Sequence, residues 1–523
     1  MLIINLDFTG GARGLRGIPR VTDFNYVFWI VVLVVAVMFT LGRSRHGRAI
    51  LSIREDPVAA EASGIPTTYY KIFAFTVAAF FAGIAGGLYA HYVGVLNPKD
   101  FGFTKSIEYL VMVVLGGMGS ITGSICAALV LTALPEALRE FSDYRMLVYS
   151  LLLVGMMLFR PSGLLGIREF SLTSLVEWVT GSGRKGDHLR GETQISPQKA
   201  LPEMKGISSQ EGASQQANLQ VGAPQEISPQ ASPQESLPRK IPSVEVLQQE
   251  SPSEEITPPE VSPAAHGSTA PILLSVDKLS IQFGGLKALT DFDITIRAGE
   301  IVGLIGPNGA GKTTVFNLLT NVYKPTAGTI QVEGVSVVGV PTHEITQVGI
   351  ARTFQNIRLF RKLTVIENVK IAYHNQMQYT SLEGTFRLPR YWTEEARATA
   401  RAHQLLRVFG LEKLADERAD SLPYGAQRKL EIARALATNP KLLLLDEPAA
   451  GMNPIETQDL MATIRSIRTR FNVAVLLIEH DMSLVMGICE RILVLDYGQM
   501  IALGTPGEIR RDPKVIGAYL GGE

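Results

Sequence analysis

The stretch GPNGAGKTT at residues 306–314 places the strongest constraint on how this chain can fold. The apolar, strand-like run EIVGLI comes directly before it, and the helix-like run TTVFNLLTNVY overlaps its end. A G-x-x-x-x-G-K-T pattern between a strand and a helix forms a loop whose backbone N–H groups point inward around a phosphate. The positive end of the following helix adds to this attraction for an anion. The pattern therefore predicts a phosphate-binding loop beside a buried sheet, rather than a structural glycine-rich turn.

The individual residues of this loop suit a nucleotide that carries a magnesium ion. Gly309 and Gly311 allow the backbone to curl around phosphate, and Lys312 can reach the β- and γ-phosphates. The hydroxyl group of Thr313 is suited to ligate Mg²⁺. The predicted nucleotide-binding residues of the loop are Gly306, Asn308, Gly309, Ala310, Gly311, Lys312, Thr313 and Thr314.

Two further apolar strands end in residues that can act on a phosphate. The run LLLLDEP ends with Asp446 and Glu447, and the run LLIEHD carries His480. Near-continuous apolar runs are typical of parallel strands buried on both faces, whose carboxyl ends share one edge of the sheet. At that edge Asp446 is predicted to hold Mg²⁺ through water, Glu447 to polarise the attacking water as general base or orienter, and His480 to contact the γ-phosphate. Taken singly, these residues are better explained as solvated carboxylates and a structural histidine.

Two other residues are ambiguous on sequence alone. Gln355 lies in ARTFQNIRLF, and an exposed glutamine has no functional meaning by itself. Phe283, in SIQFGG, is placed to stack on an adenine ring, but a position in the apolar core explains it equally well.

The order of these motifs resembles the nucleotide-binding domain of an ABC transporter. The motifs that carry the resemblance are the phosphate loop, Gln355, residues 422–436, Asp446 with Glu447, and His480. The resemblance covers residues 271–523. It implies a multi-domain chain in which this part is an α/β P-loop NTPase, with a RecA-like core and a helical subdomain at about 356–436.

The same resemblance implies the chemistry of the site. The cofactors would be ATP and Mg²⁺, with Thr313, Gln355 and Asp446 as the implied metal ligands. Glu447, His480 and Gln355 are the implied catalytic residues of an ATP hydrolase. Two such domains are implied to pair head to tail, so that each ATP lies between one phosphate loop and the signature segment of the other domain.

The signature segment departs from the usual L-S-G-G-Q and reads Leu422-Pro423-Tyr424-Gly425-Ala426. The helix start is kept, so backbone N–H groups can still face an anion, with Tyr424 and Gly425 as the predicted nucleotide contacts. Both a weakened half-site and an accepted variant are consistent with this. The run LPYGAQRKLEIAR, the start FGGLKAL and the ending GTPGEIRRDPKVIGAYLG resemble the ATPases of branched-chain amino acid importers, ahead of their urea-transporting relatives.

The first 170 residues have the pattern of an α-helical membrane region with four or five segments. Phe24–Leu41 and Ile72–Leu96 approach or exceed the about 20 residues needed to cross a bilayer. Ile107–Leu138 is broken by glycines and predicts either two short helices or a re-entrant hairpin, and Met146–Phe159 is a short further candidate. Basic residues concentrate between the first two spans, which predicts that this connector is cytoplasmic. They are Arg43, Arg45, Arg48, Arg54 and Lys71.

The sequence around this connector resembles the permease subunit of branched-chain amino acid importers. The runs that carry the resemblance are GRAILSIREDPVAAEASGI, FFAGIAGGLYAHYVG and SIEYLVMVVLGGMGSITG. The resemblance implies a coupling helix at about 55–64, with Glu55 and Asp56 in its first turn, that docks on the ATPase; a solvated connector is the alternative. Permeases of this family have more spans, so the chain is expected to carry a partial permease.

Residues 171–270 are predicted to be a disordered linker. Pro, Gln, Ser and Glu dominate runs such as APQEISPQASPQESLPRKIPS, and such a composition cannot bury enough apolar surface to offset its ordering entropy. The predicted domains are therefore a partial permease at 1–170, the linker at 171–270 and the nucleotide-binding domain at 271–523. The chain carries 49 Lys+Arg and 49 Asp+Glu, a balance that argues against a nucleic-acid partner.

Together these features predict ATP-dependent import of branched-chain or related amino acids. The expected partners are a second ABC ATPase subunit in a heterodimer, a second permease subunit and an extracytoplasmic solute-binding protein. The expected location is a bacterial-type inner or plasma membrane, with several spans and the ATPase domain in the cytoplasm. Alternatives are an importer of urea, amides or other amino acids, and a truncated permease that leaves only a membrane-anchored ABC ATPase. An exporter half-transporter fits less well, because it needs more spans and long cytoplasmic helical extensions.

Overall fold

The structure is a computed structural model, and it describes residues 14–137, 154, 158 and 270–520. The predicted membrane segment at Met146–Phe159 therefore lies almost entirely outside the described residues, and residues 171–269 of the predicted linker lie wholly outside them. The described residues belong to one compact unit of the chain.

The N-terminal part is built from helices. They are α1 (Phe24–Gly42), α2 (Arg45–Glu55), α3 (Pro57–Ala62), α4 (Thr67–Val93), α5 (Phe103–Gly116) and α6 (Ile121–Ala137). Among the described residues, α1 and α4 are long and apolar enough to cross a membrane. The 19 residues of α1 extend over about 28 Å, which is close to the thickness of the hydrocarbon core of a bilayer. A short antiparallel pair, β1 (Leu15–Arg16) and β2 (Val95–Leu96), joins the chain before α1 to the end of α4.

The glycine-broken apolar segment forms two helices, α5 and α6, that fold back on one another. A Cβ atom at Gly116 would lie 2.5 Å from the carbonyl oxygen of Gly123, and one at Gly123 would lie 2.1 Å from that of Gly116. The two backbones can therefore touch only because both residues lack a side chain. The segment therefore consists of two short helices joined by a tight turn.

The connector between α1 and α4 consists of the two helices α2 and α3. Ser44 caps α2 by accepting a hydrogen bond from the backbone N–H of Gly47 at 3.3 Å. Asp56 caps α3 by accepting from the N–H groups of Val58 and Ala59 at 2.9 and 3.0 Å. Glu55 is the last residue of α2, so its predicted place in the first turn of the coupling helix is wrong; the cap interrupts the helical conformation at Asp56.

The C-terminal part contains two sheets and the helices that cover them. Its strands are β3 (Ile272–Phe283), β4 (Leu286–Arg297), β5 (Ile301–Ile305), β6 (Ala327–Val332), β7 (Val335–Ser336), β8 (Ile350–Arg352), β9 (Leu442–Asp446), β10 (Ala474–Ile478), β11 (Arg491–Asp496) and β12 (Gln499–Gly504). Its helices are α7 (Lys312–Leu319), α8 (Thr342–Val348), α9 (Val365–Ala372), α10 (Ser381–Thr385), α11 (Pro389–Val408), α12 (Tyr424–Ala437), α13 (Pro454–Phe471), α14 (Met482–Ile488), α15 (Pro506–Ile509) and α16 (Pro513–Leu520).

The larger sheet brings the predicted site residues to one edge. Its strand order is β12-β11-β5-β10-β9-β8, with β12 antiparallel to β11 and the other neighbours parallel. Every residue of β5, β9 and β10 is buried, as expected for parallel strands covered on both faces. Asp446 at the end of β9 pairs with Ile478 at the end of β10, so the residues that follow both strands meet. The strands β4, β3, β6 and β7 form a second, antiparallel sheet, and α9 to α12 form a helical subdomain.

Candidate nucleotide and coupling site

The phosphate loop joins the end of β5 to the start of α7. Gly306, Gly309 and Gly311 have φ values of 151°, 83° and 103°, in the region that favours glycine. A Cβ atom at Gly306 would lie 2.0 Å from the carbonyl oxygen of Leu495 on β11, so only glycine allows this close packing. The loop residues Asn308 and Gly309 are exposed and border a cleft that is also lined by Tyr497.

Lys312 is the first residue of α7 and is buried beneath the loop. Its Nζ donates hydrogen bonds to the carbonyl oxygens of Gly306 and Pro307 at 2.7 and 2.9 Å. Burial lowers the pKa of Lys312, while the carboxylates of Glu447 and Asp446 act in the opposite direction. A desolvated ammonium group beneath a loop of N–H donors is suited to bind phosphate oxygens.

Asp446 is 1% exposed, and its two carboxylate oxygens differ. Oδ2 accepts a hydrogen bond from Arg352 Nη2 at 3.0 Å, whereas Oδ1 is buried without a hydrogen-bond partner among the described residues. Burial raises the pKa of Asp446, and the Arg352 guanidinium offsets part of this rise. Oδ1 is therefore a carboxylate oxygen that suits a cation bound through water.

The donor set fits magnesium held jointly with a nucleotide. Among the described residues, no group of three or more His, Cys, Asp or Glu could hold a metal ion. Mg²⁺ usually takes one or two protein oxygens together with substrate phosphates. The exposed residue Thr313 and the unpaired Oδ1 of Asp446 match that requirement.

The three predicted catalytic residues come together around Glu447. Its Oε2 accepts a hydrogen bond from Gln355 Nε2 at 2.9 Å, and its Oε1 lies 2.7 Å from His480 Nε2. Glu447 has a φ of 46°, a left-handed conformation that costs about 1–3 kcal/mol for a residue other than glycine. Its N–H donates to the carbonyl oxygen of Ile478 at 2.9 Å, which helps to hold this strained backbone. The orientation of the Glu447 carboxylate is thus fixed by the side chains of Gln355 and His480.

Phe283 and two of the signature residues, Pro423 and Tyr424, are exposed at the surface. The Phe283 ring is exposed and packs edge-on against Tyr323 with ring centroids 5.1 Å apart, so the core alternative for Phe283 is wrong and its ring is accessible for stacking. Pro423 is the N-cap of α12, and Tyr424 and Gly425 form the first turn. The structure therefore groups Lys312, Asp446, Glu447, Gln355 and His480, while Tyr424 packs against Gly451 instead.

Comparisons with known proteins match the two parts of the chain separately. The family model described as ABC transporter matches residues 289–450, and that of the branched-chain amino acid ATP-binding cassette transporter matches residues 499–523. The permease component of the branched-chain amino acid transport system matches residues 5–160.

Curated relatives match the C-terminal part over nearly their whole length. The high-affinity branched-chain amino acid transport ATP-binding protein LivG of Salmonella typhimurium is 50% identical over 249 residues, which cover 48% of this chain and 98% of LivG. The chain belongs to the branched-chain amino acid ATP-binding cassette transporter family. The ATP-binding protein BraF of Pseudomonas aeruginosa is 47% identical over the same length, with coverages of 48% and 98%. A solved ATP-binding cassette in its ADP conformation is 30% identical, with coverages of 48% and 100% and a TM-score of 0.43.

Family membership confirms the predicted fold class and the predicted enzymatic activity. A helical permease region precedes an ABC ATPase domain, which binds nucleotide and couples ATP hydrolysis to transport. The permease region indicates association with a membrane.

Two buried charged residues of the ABC ATPase were missed by the sequence analysis. Arg428 of α12 donates to the carbonyl oxygens of Phe354 and Gln355 at 2.7 and 2.8 Å, and pairs with Glu431 at 2.8 Å. Glu431 in turn accepts from the backbone N–H of Arg358 at 3.1 Å. The Arg428–Glu431 pair therefore fixes the backbone of the segment around Gln355 by hydrogen bonds. Its sequence signal was the pair of opposite charges three residues apart on an otherwise apolar helix face.

A third missed residue is Arg352, which links the Asp446 carboxylate to the helix that follows the phosphate loop. Its Nη1 donates to Asn317 Oδ1 on α7 at 2.7 Å, and its Nη2 donates to Asp446. Its guanidinium also lies over the rings of Phe316 and Phe354, at 5.5 and 5.3 Å. Sequence alone showed only an arginine at the end of a short strand.

The permease helix α3 docks on the ABC ATPase through charge and apolar packing. Asp56 accepts from Arg358 Nη1 at 2.9 and 3.3 Å, so the α3 cap is also an ion-pair partner of the ATPase. Ala59 and Ala60 are fully buried in a cluster with Phe360. Glu61, by contrast, accepts a hydrogen bond from the Thr67 hydroxyl at 2.6 Å, within the permease region.

A buried ionic cluster joins α2 to the helical subdomain beside this contact. Arg48 Nη2 lies 2.5 Å from Glu395 Oε1, and Lys370 Nζ lies 2.9 Å from Glu395 Oε2. Tyr379 donates its hydroxyl to Glu395 at 2.7 Å. Burial alone would raise the pKa of Glu395, but Arg48 and Lys370 hold it at about 2.

Two buried histidines, His46 and His374, also lie in the contact between the permease region and the ATPase. The Tyr70 hydroxyl lies 2.9 Å from His46 Nδ1 and 3.0 Å from His374 Nε2, and so bridges the two parts. Burial, reinforced by Arg45, lowers the pKa of His46 to about 4 and that of His374 to about 3. Both imidazoles are therefore neutral near pH 7.

Proposed function

We propose that this chain imports branched-chain amino acids across a bacterial inner or plasma membrane, with ATP hydrolysis on the cytoplasmic side. The observation that carries the proposal is the contact between Asp56 of a branched-chain-type permease region and Arg358 of an ABC ATPase domain. The same ATPase domain is 50% identical to a branched-chain amino acid transport ATPase. The proposed domains are a permease region at 1–170, a linker at 171–270 and the ATPase at 271–523.

At the nucleotide, the chain supplies positive charge and a cradle of N–H groups. The loop from Gly306 to Thr314 surrounds the phosphates, Lys312 contacts the β- and γ-phosphates, and Phe283 stacks on adenine. Thr313, Gln355 and Asp446 hold Mg²⁺, which neutralises phosphate charge when bound. Gln355 directs its amide N–H toward Glu447, which leaves its amide oxygen for the metal.

Glu447 is the proposed residue that polarises the attacking water. Its carboxylate is positioned by Gln355 on one oxygen and His480 on the other, and its backbone is held in an unusual conformation. His480 is also placed to hydrogen-bond the γ-phosphate as charge develops on it. Tyr424 and Gly425 are proposed to contact the nucleotide of a second ATPase subunit.

Coupling follows from the position of Gln355 between nucleotide and permease. Arg358, three residues after Gln355, holds Asp56 at the cap of α3. A shift of the Gln355 segment on nucleotide binding therefore moves the residue that contacts the permease. The proposed assembly adds a second ABC ATPase, a second permease subunit and an extracytoplasmic solute-binding protein.

The decisive experiment is reconstitution of the chain with candidate partner subunits in liposomes. We expect ATP-dependent uptake of labelled leucine that is competed by isoleucine and valine but not by urea. Uptake of urea or amides instead would support the alternative importer. ATP hydrolysis without uptake of any solute would leave only a membrane-anchored ATPase and refute the proposed transport function.

A further inference from the structure

A cluster of large apolar side chains is exposed on the helical subdomain of the ATPase, on α10 and the start of α11. Leu382 and Phe386 are 67% and 65% exposed, and Trp392 is 55% exposed. Leu388 between them is also exposed. Exposed groups of large apolar side chains are typical of a contact surface rather than of a solvated one. We call Leu382, Phe386, Leu388 and Trp392, together with Arg387, the aromatic–arginine patch.

The patch lies opposite the face by which α10 contacts the permease region. Leu382 of α10 and Phe386, which directly follows α10, are four residues apart and lie on the same side of the helix. Gly384, two residues from each, is buried: a Cβ atom there would lie 3.0 Å from Ser44 Cβ. Tyr379, just before α10, accepts a hydrogen bond at 2.5 Å from the backbone N–H of Arg45.

Through these contacts, α10 packs beside the C-terminal end of α1. Ser44 is the N-cap of α2, two residues after the last residue of α1. Along α1, which is long and apolar enough to cross a membrane, every side chain before Leu41 is exposed or half-buried. α10, which carries part of the aromatic–arginine patch, therefore packs beside the end of α1, the helix that has to meet lipid.

The charges of this region suit an anionic surface. Among the described residues, Arg387 and Arg43 have no carboxylate partner, whereas the nearby Arg390 pairs with Glu394 at 2.9 Å. Arg43 is exposed next to the end of α1, and its guanidinium lies over the ring of Phe39 at 5.9 Å. Unpaired arginines next to a membrane are attracted to anionic headgroups.

The tryptophan of the patch has the arrangement expected at a membrane interface. Trp392 donates its Nε1–H to the backbone carbonyl of Arg387 at 3.1 Å. The Arg387 guanidinium lies 5.5 Å from the Trp392 ring centroid, on the face of the ring. The indole N–H is thus paired within the protein and one face of the ring lies against Arg387, while about half of the side chain is exposed. Aromatic rings beside basic residues concentrate where hydrocarbon meets headgroups.

We propose that the aromatic–arginine patch inserts into the cytoplasmic interface of a bilayer rich in anionic phospholipid, as a membrane contact of the ATPase domain itself. This inference rests on the proposed membrane insertion of α1. The contact would hold the helical subdomain at a constant depth while the nucleotide site opens and closes. Rotation of the subdomain would then be transmitted to α2 and α3 instead of being lost as tilting.

Tryptophan fluorescence provides a direct test, because the chain has three tryptophans: Trp29, Trp178 and Trp392. One full-length variant, Trp29→Phe with Trp178→Phe, leaves Trp392 as the reporter of the patch. A matched variant, Trp178→Phe with Trp392→Phe, leaves Trp29 as the reporter of α1. Both are reconstituted in liposomes that contain lipids brominated near the headgroup end or near the methyl end of the acyl chain. Acrylamide is added from the aqueous phase as a second quencher.

We expect bromolipid quenching of both reporters. Trp392 should be quenched more by bromines near the headgroup end, more in anionic than in neutral lipid, and little by acrylamide. Arg387→Gln in the Trp392 reporter should reduce the excess quenching by anionic lipid. These results together would support the contact.

Other outcomes separate this inference from the proposed function. If Trp29 is quenched by lipid but Trp392 is quenched only by acrylamide, the patch faces water and the inference is overturned. If Trp29 is quenched by lipid and Trp392 is shielded from both quenchers, a protein covers the patch, which also overturns it. If Trp29 itself escapes lipid quenching, the membrane insertion of α1 fails, and the inference fails with it.

Discussion

Replacing Asp56 separates two contributions that this one side chain makes to coupling. It caps α3 through the N–H groups of Val58 and Ala59, and it pairs with Arg358 of the ATPase. Asp56→Asn keeps a good capping oxygen but removes the charge. Asp56→Ala removes both the cap and the charge. The pair of variants therefore reports the ion pair alone and the ion pair together with the cap.

The structure sets the size of each effect. The Arg358 side chain is 41% exposed and that of Asp56 is 18% exposed, so solvent screens the pair and limits its contribution to about 0.5–1 kcal/mol. Loss of an N-cap costs about 1 kcal/mol. At 1.4 kcal/mol for a tenfold change, Asp56→Asn should weaken docking of α3 by about 2–5-fold and Asp56→Ala by about 10–30-fold.

The assay is the ratio of leucine transported to ATP hydrolysed in proteoliposomes. The control is Glu61→Gln, which removes a charge from the same helix but keeps an acceptor for the Thr67 hydroxyl, and should leave the ratio nearly unchanged. The ratio should fall in the order Glu61→Gln, Asp56→Asn, Asp56→Ala, with ATP binding unaffected. An unchanged ratio in Asp56→Ala would refute the assignment of α3 as the coupling element. Equal losses in both Asp56 variants would show that the cap contributes nothing.

Three other perturbations test separate parts of the site. Glu447→Gln should abolish ATP turnover while keeping ATP binding, because the amide cannot act as a base; hydrolysis at the original rate would exclude its proposed role. Arg48→Glu should weaken docking by about 3–5 kcal/mol, because it leaves Glu395 facing a like charge in a buried site, and Arg48→Glu with Glu395→Arg should recover part of this in thermal unfolding. A swap variant less stable than either single variant would contradict a direct pairing. The contact between the permease region and the ATPase should weaken as pH falls from about 6.5 toward 4. In the undocked state His46 and His374 bind protons in this range, whereas in the docked state both are buried and stay neutral. The loss should approach about 1.4 kcal/mol per pH unit for each histidine, and His374→Asn should flatten the pH dependence of unfolding.

The parts of the site that sequence could predict are those whose chemistry is local. The loop at 306–314 needs glycines, a lysine and a hydroxyl at fixed spacing between a strand and a helix, and all of these are contiguous. Asp446 and His480 could be placed because parallel buried strands end at one edge of a sheet. The residues that support this edge, Arg352 and Arg428, could not be placed. Their roles depend on partners 94 and 73 residues away, which no local pattern links to them.

In the coupling helix, too, some features could be predicted from the sequence and others could not. The resemblance to permeases indicated a short coupling helix in this stretch that docks on the ATPase. Tertiary structure decided which acid contacts the ATPase: Asp56 reaches Arg358, while Glu61 turns back to Thr67. A helix of six residues presents side chains in all directions. Which acidic residue pairs with the ATPase therefore depends on where Arg358 lies, and not on the helix itself.

By itself, the sequence determined that the chain joins apolar spans to an α/β nucleotide-binding domain, because apolar run length and loop chemistry act over short distances. Only the tertiary structure decided how the two parts meet. The buried contact between the two parts includes Arg48, Glu395, His46 and His374. Its partners are more than 300 positions apart in the sequence; Arg48 and Glu395, for example, are separated by 347 residues. Buried charges and neutral histidines are tolerable only where partners satisfy them, and those partners exist only once the chain has folded.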